Sequence, residues 1–588
     1  MTTTKNGIHL QVTGEELRDH VKLYRIIDED RLQVYEFEYL DEKGEIPSPI
    51  TVKWKTPAHN IKGMWQPTSD FNKRTQYDWE LRPMESCISL DAPVICLFGH
   101  DDANCMTFAS NDAIHTLSLD AYIREEEDYF YCHITFFTES ERPVSNYKTQ
   151  IRIDFRTVHF SESLKGVSQW WESFKDLKPT SVPVISKRPI YSTWYQFHQS
   201  LEQEKLLKEC ALASDLGYHA VIIDDGWQTK DSSRGYDYTG DWRSDRIPDM
   251  ADYVGKIHEM GMKVGIWYSV PFCGKKSEAY SRFKGKFLTE SHRWAPVFDP
   301  RYPEVREYLI GLYSSALKAW DLDGFKLDFI DDFHSYEDTP SGKQDGRDYA
   351  SINEAVDRLL TDVITDLRAI KPNVFVEFRQ KYTGPAMRKY GNMFRAFDCP
   401  GDATMNRVRI ADLRMLSGNT AVHADMITWH ADERVEVAAL QLANIMFGVP
   451  QLSIMLQDAH PSHLKMIRFF TKYWNKHADI LTQGYFIAYK PLANYPVQQV
   501  TKDNFTIIGV HDEFVVPIEK VSTNIHLLNA QLADELIIKC VEDFGEFQTK
   551  IYDCQGTLVS KDQLALTKGA VAIPIPACGI VQMKKITK

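Results

Sequence analysis

The chain has 588 residues, of which 43% are hydrophobic and 26% are charged, so it can form about three or four domains with large cores. Its net charge of −14 argues against a nucleic-acid groove or an anionic membrane surface as partner, because both attract clustered Lys and Arg. Aromatic residues reach 12%, and such flat rings either fill a core or stack on sugar rings.

Cysteine usage and the start of the chain bear on location. The ten cysteines show no CxxC and no paired metal spacing, which fits free thiols in a reducing compartment. Residues 1–7 lack the apolar core of a secretion signal, and no run approaches the roughly 20 apolar residues that span a bilayer. We expect a soluble cytoplasmic protein; a secreted or periplasmic protein that had lost its leader would look the same.

The first 180 residues predict a β-sandwich. Residues 32–39 alternate apolar and polar side chains, as a half-buried strand does. Similar runs between turn residues follow at 93–98, 129–137 and 150–155. A helical stretch near 161–175 and the proline-containing segment 178–183 then mark a boundary.

Beyond that boundary, strands alternate with helix-length amphipathic segments, which indicates βα units. Eight strands are predicted, at 189–195, 219–225, 263–268, 324–329, 374–379, 393–398, 420–426 and 451–456. Eight βα repeats predict a (β/α)8 barrel. A doubly wound open sheet is the alternative, but no GxGxxG follows a strand.

Short alternating strands return after about residue 481, at 505–510, 524–528 and 571–575, and predict a C-terminal β-sandwich. The predicted domains are therefore an N-terminal sandwich (1–180), a barrel (181–480) and a C-terminal sandwich (481–588).

Polar and aromatic side chains follow the carboxyl ends of the predicted barrel strands. In strand order they are Thr193, Trp194 and Tyr195; Asp224, Asp225 and Trp227; Trp267 and Tyr268; Lys326 and Asp328; Glu377 and Arg379; Arg395, Asp398 and Asp402; and His423 and Asp425. These strand ends form the catalytic rim of a barrel. Carboxylates gathered there are the usual catalytic groups of enzymes that break a glycosidic bond.

Asp328 follows Lys326 by two residues, so both side chains point to one face of the strand. The ammonium would keep the carboxylate ionised, and an ionised, oriented carboxylate is a nucleophile or an oxocarbenium stabiliser. A structural ion pair is the alternative.

Asp224 and Asp225 are adjacent and repel each other when both are ionised, so they need outside donors such as sugar hydroxyls. Helix capping is the alternative.

Asp398 or Asp402 should be the second catalytic carboxyl, which protonates the leaving oxygen and later activates water. This role needs a raised pKa. For either residue, turn capping is the alternative.

Other rim residues fit sugar contact as well as packing. Trp194, Trp242 and Trp267 would form stacking walls, although core packing explains each of them equally well. Arg379 and Arg395 could bind hydroxyls or balance nearby Asp. His423 and Asp425 could ligate a metal, but no HxH or HExxH accompanies them, so a hydrogen-bonded rim pair is favoured.

Taken in chain order, the short sequence motifs around these residues resemble those of glycoside hydrolase family 36, the retaining α-galactosidases. They resemble families 27 and 31 of the same clan more loosely. The matching pieces are 193–195, 223–227, 240–242, 265–267, 325–328 and 393–402. The resemblance covers roughly residues 185–460, and the flanking β regions match only in kind.

The resemblance implies roles for the matched positions. Asp328 would be the nucleophile, Asp224 and Asp225 would hold galactose O4 and O6, and Lys326 would reach hydroxyls beside the nucleophile. Trp267 would line the pocket. The acid/base would come from the sixth strand, where ungapped matching favours Asp398 and the Gly-Asp element favours Asp402.

The chain departs from the family at positions that border the pocket. Many members carry Trp and Asn where this chain has Leu327 and Ile330, and the Cys- and Gly-rich string after strand five is replaced by residues 377–384. These changes leave the nucleophile in place and bear on which sugar the pocket takes. In relatives the N-terminal domain can lend an aromatic to the site; Trp65 could do so, though a core role is favoured.

We therefore expect an enzyme that cleaves terminal α-galactosides with retention, its two carboxyl groups roughly 5–5.5 Å apart. The expected partner is a small carbohydrate, with no cofactor or metal; assembly into a homo-oligomer is left open. Four alternatives remain: a raffinose-synthase-like transglycosylase, a retaining glycosidase for another sugar, a metal-dependent barrel enzyme using His423 and Asp425, and a non-catalytic sugar-binding protein.

Overall fold

The computed structural model describes residues 9–13, 20–139 and 142–586. Residues 1–7, considered above for a secretion signal, lie outside these residues. Among the described residues, no helix combines the length and apolarity needed to cross a bilayer.

The N-terminal part forms two packed sheets. Its strands are β1 (Gln11–Thr13), β2 (Val21–Glu29), β3 (Leu32–Leu40), β4 (Ile50–Pro57), β5 (Ile61–Trp65), β6 (Gln76–Tyr77), β7 (Met84–Ser86), β8 (Val94–Gly99), β9 (Asn104–Ser110), β10 (Leu117–Arg124), β11 (Tyr129–Phe136) and β12 (Asn146–Asp154). One sheet runs β1-β4-β11-β10-β6 with β7 beside β10, and the other runs β2-β3-β12-β9-β8-β5. In β11 alternate residues are buried, so one face of the strand packs into the core between the sheets. The predicted sandwich is therefore present.

The central part is a nearly closed parallel barrel. Its strands and an inserted hairpin are β13 (Ile190–Ser192), β14 (Ala220–Ile223), β15 (Lys263–Ser269), the hairpin β16 (Phe287–Thr289) and β17 (Val297–Phe298), β18 (Gly324–Asp328), β19 (Phe375–Arg379), β20 (Met393–Arg395), β21 (Ala421–His423) and β22 (Gln451–Leu452). The eight-stranded sheet runs β21-β20-β19-β18-β15-β14-β13-β22. Bridges from His423 to Val449 and from Ile427 to Leu452 bring its two edges together. All eight predicted barrel strands are present.

Several of these strands end earlier than predicted, because the chain turns at the rim. β13 ends at Ser192, and Trp194 and Tyr195 begin a short helix instead of extending the strand. Asp224 and Asp225 likewise follow β14 and do not belong to it.

Helices surround the barrel and connect it to the N-terminal sheets. They are α1 (Phe160–Glu172), α2 (Trp194–Phe197), α3 (Gln203–Asp215), α4 (Met250–Glu259), α5 (Glu278–Arg282), α6 (Pro303–Ala319), α7 (Ile352–Ile370), α8 (Ala403–Leu416), α9 (Val435–Asn444) and α10 (Pro461–Gln483). Their starts follow local chemistry: the Ser351 hydroxyl accepts from the Glu354 amide at the start of α7, and a proline opens α6.

The C-terminal part is again a pair of sheets. Its strands are β23 (Tyr485–Tyr489), β24 (Val497–Lys502), β25 (Phe505–Val510), β26 (Val516–Ile518), β27 (Asn524–Asn529), β28 (Leu536–Cys540), β29 (Gly545–Tyr552), β30 (Leu558–Leu566), β31 (Gly569–Ile573) and β32 (Ile580–Lys585). A seven-stranded sheet, β23-β24-β25-β27-β32-β29-β30, packs on a three-stranded sheet, β26-β28-β31. The predicted architecture is thus observed, while the exact domain edges at 180 and 480 stay predictions.

Candidate active site

The register of the barrel strands brings the predicted site residues together. Trp267 of β15 pairs with Lys326 of β18, which pairs with Glu377 of β19. One step further along, Arg379 of β19 pairs with Arg395 of β20. Paired residues of a parallel sheet point to the same side, so these side chains share the barrel interior near its carboxyl end.

Asp328, the last residue of β18, is held by donors on both of its oxygens. Oδ1 accepts from Arg379 Nε at 2.7 Å, from the Tyr382 hydroxyl at 2.9 Å and from the Phe329 amide at 2.8 Å. Oδ2 accepts from Trp267 Nε1 at 3.0 Å. Burial opposes ionisation, but the charges of Arg379 and Lys326 and the Trp267 hydrogen bond outweigh it and hold the pKa of Asp328 below its usual range. The result is a buried, ionised and oriented carboxylate.

Lys326 links the second and fourth strands. Its Nζ lies 2.7 Å from Asp224 Oδ2 and 3.7 Å from Asp328 Oδ2, so one buried ammonium serves two carboxylates. The Asp224 amide donates to the Thr193 hydroxyl at 2.9 Å, which fixes the turn after β14. A single cation thereby positions the predicted sugar-holding acid beside the predicted nucleophile.

Asp225 is held by two side-chain amides. Gln199 Nε2 donates to its Oδ2 and Gln228 Nε2 to its Oδ1, each at 2.6 Å. Burial raises the pKa of Asp225 to about 6, against these two hydrogen bonds and with help from the charge of Asp224. Each oxygen keeps a further lone pair, so Asp225 can still accept from a ligand.

Arg395 organises the sixth-strand side of the site. Its guanidinium donates to Asp425 Oδ1 and, at 2.9 Å, to Asp398 Oδ1, while its Nε lies 3.4 Å from Glu377 Oε1. The other oxygen of Asp425 accepts from the Tyr195 hydroxyl at 2.8 Å. Arg395 is fully buried, and its positive charge balances three carboxylates. Of the two roles predicted for it, this contact pattern corresponds to balancing nearby acids.

Asp398 is the acid of this group that reaches solvent, with a side chain 42% exposed. Desolvation acts to raise its pKa, yet the charges of Arg395 and Lys326 outweigh it and leave the pKa below its usual value. The raised pKa that sequence reasoning required of the second carboxyl is therefore not seen at Asp398 in this structure. Asp328 contributes in the opposite direction, so the two acids sense each other's charge.

Asp402, the alternative acid, lies outside this network. It is exposed and stands at the start of α8, where its Oδ1 accepts from the Met405 amide at 2.8 Å. Asp402 thus caps a helix, whereas the alternative predicted for it was the capping of a turn.

The predicted aromatic walls lie at different depths. Trp267 is buried and uses its indole nitrogen on Asp328. Trp242 is also buried, behind Trp267, and packs on Tyr268 with ring centres 4.7 Å apart. Trp194 is half-buried, with Arg234 over its ring, and so is the predicted wall nearest to solvent.

His423 and Asp425 do not form the expected hydrogen-bonded pair. His423 Nε2 contacts the Ser186 carbonyl at 2.7 Å and its Nδ1 contacts Gln451, while Asp425 faces Arg395 and Tyr195. Burial lowers the pKa of His423 to about 4, so the ring is neutral. Within the described residues, no cluster of three or more His, Cys, Asp or Glu has the geometry of a metal site.

Trp65 of the N-terminal sandwich is a core residue. It is fully buried, and its indole nitrogen donates to Asp412 Oδ1 of α8 at 2.7 Å. Its role is to join two parts of the molecule.

Sequence reasoning missed several residues that hold the acids. They are Tyr382, Gln199, Gln228 and Asp331, the last of which binds the guanidinium of Arg379. Tyr382, Gln199 and Gln228 stand in rim loops and Asp331 in the short 3-10 helix Ile330–Asp332, where no periodicity marks them. Gln228 and Asp331, three residues after Asp225 and Asp328 respectively, are close enough to a motif to have been noticed.

The central part of the chain is similar in sequence to known α-galactosidases. The melibiase family model matches residues 156–378. The α-galactosidase AgaA of Geobacillus stearothermophilus is 26% identical over 184 residues, which covers 29% of this chain and 25% of AgaA. The bifunctional α-galactosidase/sucrose kinase AgaSK of Mediterraneibacter gnavus is 26% identical over 180 residues, covering 29% of this chain and 19% of AgaSK. The match thus spans about a quarter or less of these curated relatives.

Solved structures extend the likeness to the whole fold. The family 36 α-galactosidase AgaA of Geobacillus stearothermophilus superposes with a TM-score of 0.66 at 13% identity, covering 96% of this chain and 81% of that one. The α-galactosidase of Lactobacillus brevis gives 0.63 at 14% identity, with 99% and 86% covered.

The fold and the site together define the class: a (β/α)8 barrel between β domains, with buried carboxylates at the carboxyl ends of its strands, as in glycoside hydrolases. More narrowly, the chain is similar to the α-galactosidases of glycoside hydrolase family 36 in the sequence of its central part and in its overall fold.

Proposed function

We propose that this protein hydrolyses terminal α-galactosides with retention of configuration, through a covalent glycosyl intermediate on Asp328. The observation that carries the proposal is the environment of Asp328: a buried carboxylate kept ionised by Arg379 and Lys326 at the end of the fourth barrel strand. The α-galactosidase names of the relatives support the sugar.

The hydrogen bonds suggest which oxygen attacks. Oδ1 of Asp328 already accepts three hydrogen bonds, whereas Oδ2 accepts one and has Lys326 at 3.7 Å. The lone pairs of a carboxylate oxygen that accepts three hydrogen bonds are already engaged, so that oxygen is a poor nucleophile. Oδ2 is therefore the proposed nucleophilic atom, and the donors on Oδ1 hold the carboxylate in place.

The reaction then runs in two steps. Asp328 Oδ2 bonds to the anomeric carbon as the glycosidic bond breaks, and the leaving oxygen takes the proton of Asp398. Water next gives a proton to Asp398 and attacks the same carbon, which frees Asp328. Asp224 and Asp225 accept hydrogen bonds from the sugar hydroxyls throughout.

Carbohydrate length is a further part of the proposal. Variants of AgaA have been crystallised with raffinose and with stachyose. We infer that this protein likewise takes short oligosaccharides, with water as the acceptor.

The test is a panel of aryl α-glycosides followed by proton NMR of the first-formed sugar. We expect α-galactosides to be cleaved fastest and the α-anomer to appear first. Asp328→Asn should lose at least about 10³-fold in kcat with an unchanged circular dichroism spectrum. First appearance of the β-anomer, or normal turnover by Asp328→Asn, would contradict the proposal. Transfer to added sugar in preference to water would instead indicate a transglycosylase.

A further inference from the structure

The outer face of the seven-stranded C-terminal sheet carries a groove whose lining shares no residue with the candidate active site. The groove encloses about 520 Å³, a volume in the range of small-molecule sites. It lies across strands β25, β27, β32, β29 and β30 and is closed on one side by Lys476 and His477 of α10.

Strand register arranges the lining in two transverse rows. The directly paired residues of the first row are His526, Gln582, Lys550 and Lys561. Those of the second row are Asn524, Lys584, Gln548 and Gln563. Directly paired residues share a face, so the rows form a continuous grid of amides and ammonium groups.

The charges of this grid are not balanced. Lys550 and Lys561 stand directly opposite each other, and like charges in that arrangement repel. Lys476, Lys550, Lys561 and Lys584 form no ion pair with any described residue, and Asp562 is the one carboxylate in the lining. In a chain of net charge −14, a concentration of unpaired lysines indicates an anionic ligand.

One end of the groove offers a different chemistry. His477 is buried, and its Nε2 has no hydrogen-bond partner within the described part of the chain. His526 contacts the Tyr473 hydroxyl at 2.8 Å, and the Phe505 ring lies 4.6 Å from the His526 ring. Burial lowers the pKa of both histidines, so they face the groove as neutral rings. Together with the Phe505 ring they give this end of the groove an apolar wall, which suits the C–H face of a sugar ring.

We propose that this groove binds a phosphorylated sugar, with the phosphate between Lys550, Lys561 and Lys584 and the sugar ring toward His477, His526 and Phe505. The side-chain amides of Gln548, Gln563 and Gln582 would bond the remaining hydroxyls. The groove shares no residue with the candidate active site, so the proposal stands or falls independently of the proposed hydrolysis.

The experiment is isothermal titration of the full-length protein with glucose 6-phosphate, glucose and inorganic phosphate at fixed low salt. We expect saturable binding of the ester, weaker binding of phosphate and none of glucose. The double variant Lys550→Gln/Lys561→Gln should bind the ester about 10-fold or more weakly, because two charge-assisted hydrogen bonds are lost. The matched control Lys539→Gln, an exposed lysine on the smaller sheet, should bind it like the wild type.

Two readouts guard against a folding artefact. The double variant should hydrolyse an aryl α-galactoside at the wild-type rate, and its ligand-free Tm should equal or exceed that of the wild type because a repulsion is removed. Absence of saturable binding, equal binding by the double variant, or inorganic phosphate binding as tightly as the ester would overturn the proposal.

Discussion

At the scale of single residues, the charges of the two proposed catalytic acids are coupled. The negative charge of Asp328 acts to raise the pKa of Asp398, while Arg395 and Lys326 lower it. A sugar that covers the exposed part of Asp398 adds desolvation, which favours the protonated acid. Once Asp328 forms an ester its charge is lost, so the pKa of Asp398 falls and the same group becomes a base. The low pKa of Asp398 in this structure thus fits its role as base in the second step. Its role as acid in the first step depends on the desolvation that the bound substrate adds.

A pH profile tests the role given to Asp225. Its pKa is raised to about 6, so it is ionised above that pH and loses its charge below it. We expect kcat/KM to fall as pH drops through about 6, because the protonated acid accepts hydroxyl hydrogen bonds poorly. Gln199→Leu removes a donor that lowers this pKa, so its acid limb should move to higher pH.

The control for this profile is Asp225→Asn, which cannot titrate. This variant should lose most of its activity, and its remaining kcat/KM should show no fall near pH 6. An unchanged acid limb in Gln199→Leu would assign that limb to another group.

At the scale of secondary structure elements, the sixth strand and the helix after it separate two neighbouring acids. Asp398 stands in the turn after β20 and binds Arg395, whereas Asp402, four residues on, caps α8. The intervening Cys-Pro-Gly turn decides which acid faces the site.

Removing the cap should affect stability and leave chemistry in place. We expect Asp402→Ala to cost about 1 kcal/mol of unfolding free energy, the usual effect of losing an N-cap, with kcat within a few-fold of wild type. Asp398→Asn should do the reverse, with a large loss of kcat and little change in stability. Urea denaturation and aryl galactoside turnover, measured on both variants, check this; a reversed pattern would make Asp402 the acid/base.

Elements were more predictable from sequence than the contacts between them. The second, fourth, fifth and sixth barrel strands were found because a β-branched or aromatic run ends in charge, and the K-x-D string of β18 placed Lys326 and Asp328 on one face. Strand ends were overextended at β13 and β21, since nothing in the pattern shows where the chain turns at the rim. Partners such as Tyr382 lie in loops about 50 residues from Asp328, and no local rule connects them.

At the scale of the whole molecule, one buried carboxylate joins all three parts. Asp412 of barrel helix α8 accepts from Trp65 Nε1 at 2.7 Å and pairs with Lys73 Nζ at 2.9 Å, both from the N-terminal sandwich. It also accepts from the hydroxyl of Tyr495, which precedes β24 of the C-terminal part. The side chains of Asp412 and Lys73 are each about 1% exposed, so the ion pair is shielded from bulk solvent.

Breaking this junction should lower the free energy of unfolding of the whole chain. Asp412→Asn leaves Lys73 buried without a counter-charge, which costs about 3–5 kcal/mol in comparable buried pairs. We expect a clear drop in the urea midpoint. The control Asp252→Asn breaks the exposed pair with Lys256 and should change stability by less than about 1 kcal/mol. Equal effects of the two variants would contradict the structural role of the junction.

The central claim is that Asp328 bonds to the sugar while Asp398 moves the proton, and the anomeric configuration of azide-rescued products tests it most directly. Asp328→Gly and Asp398→Gly are each given a dinitrophenyl α-galactoside and sodium azide, and the glycosyl azide is identified by NMR. Azide replacing the nucleophile attacks the face opposite the leaving group and gives the β-azide; azide attacking an intact glycosyl enzyme gives the α-azide. We predict β from Asp328→Gly and α from Asp398→Gly. The same anomer from both variants, or α-azide from Asp402→Gly and none from Asp398→Gly, would contradict the account.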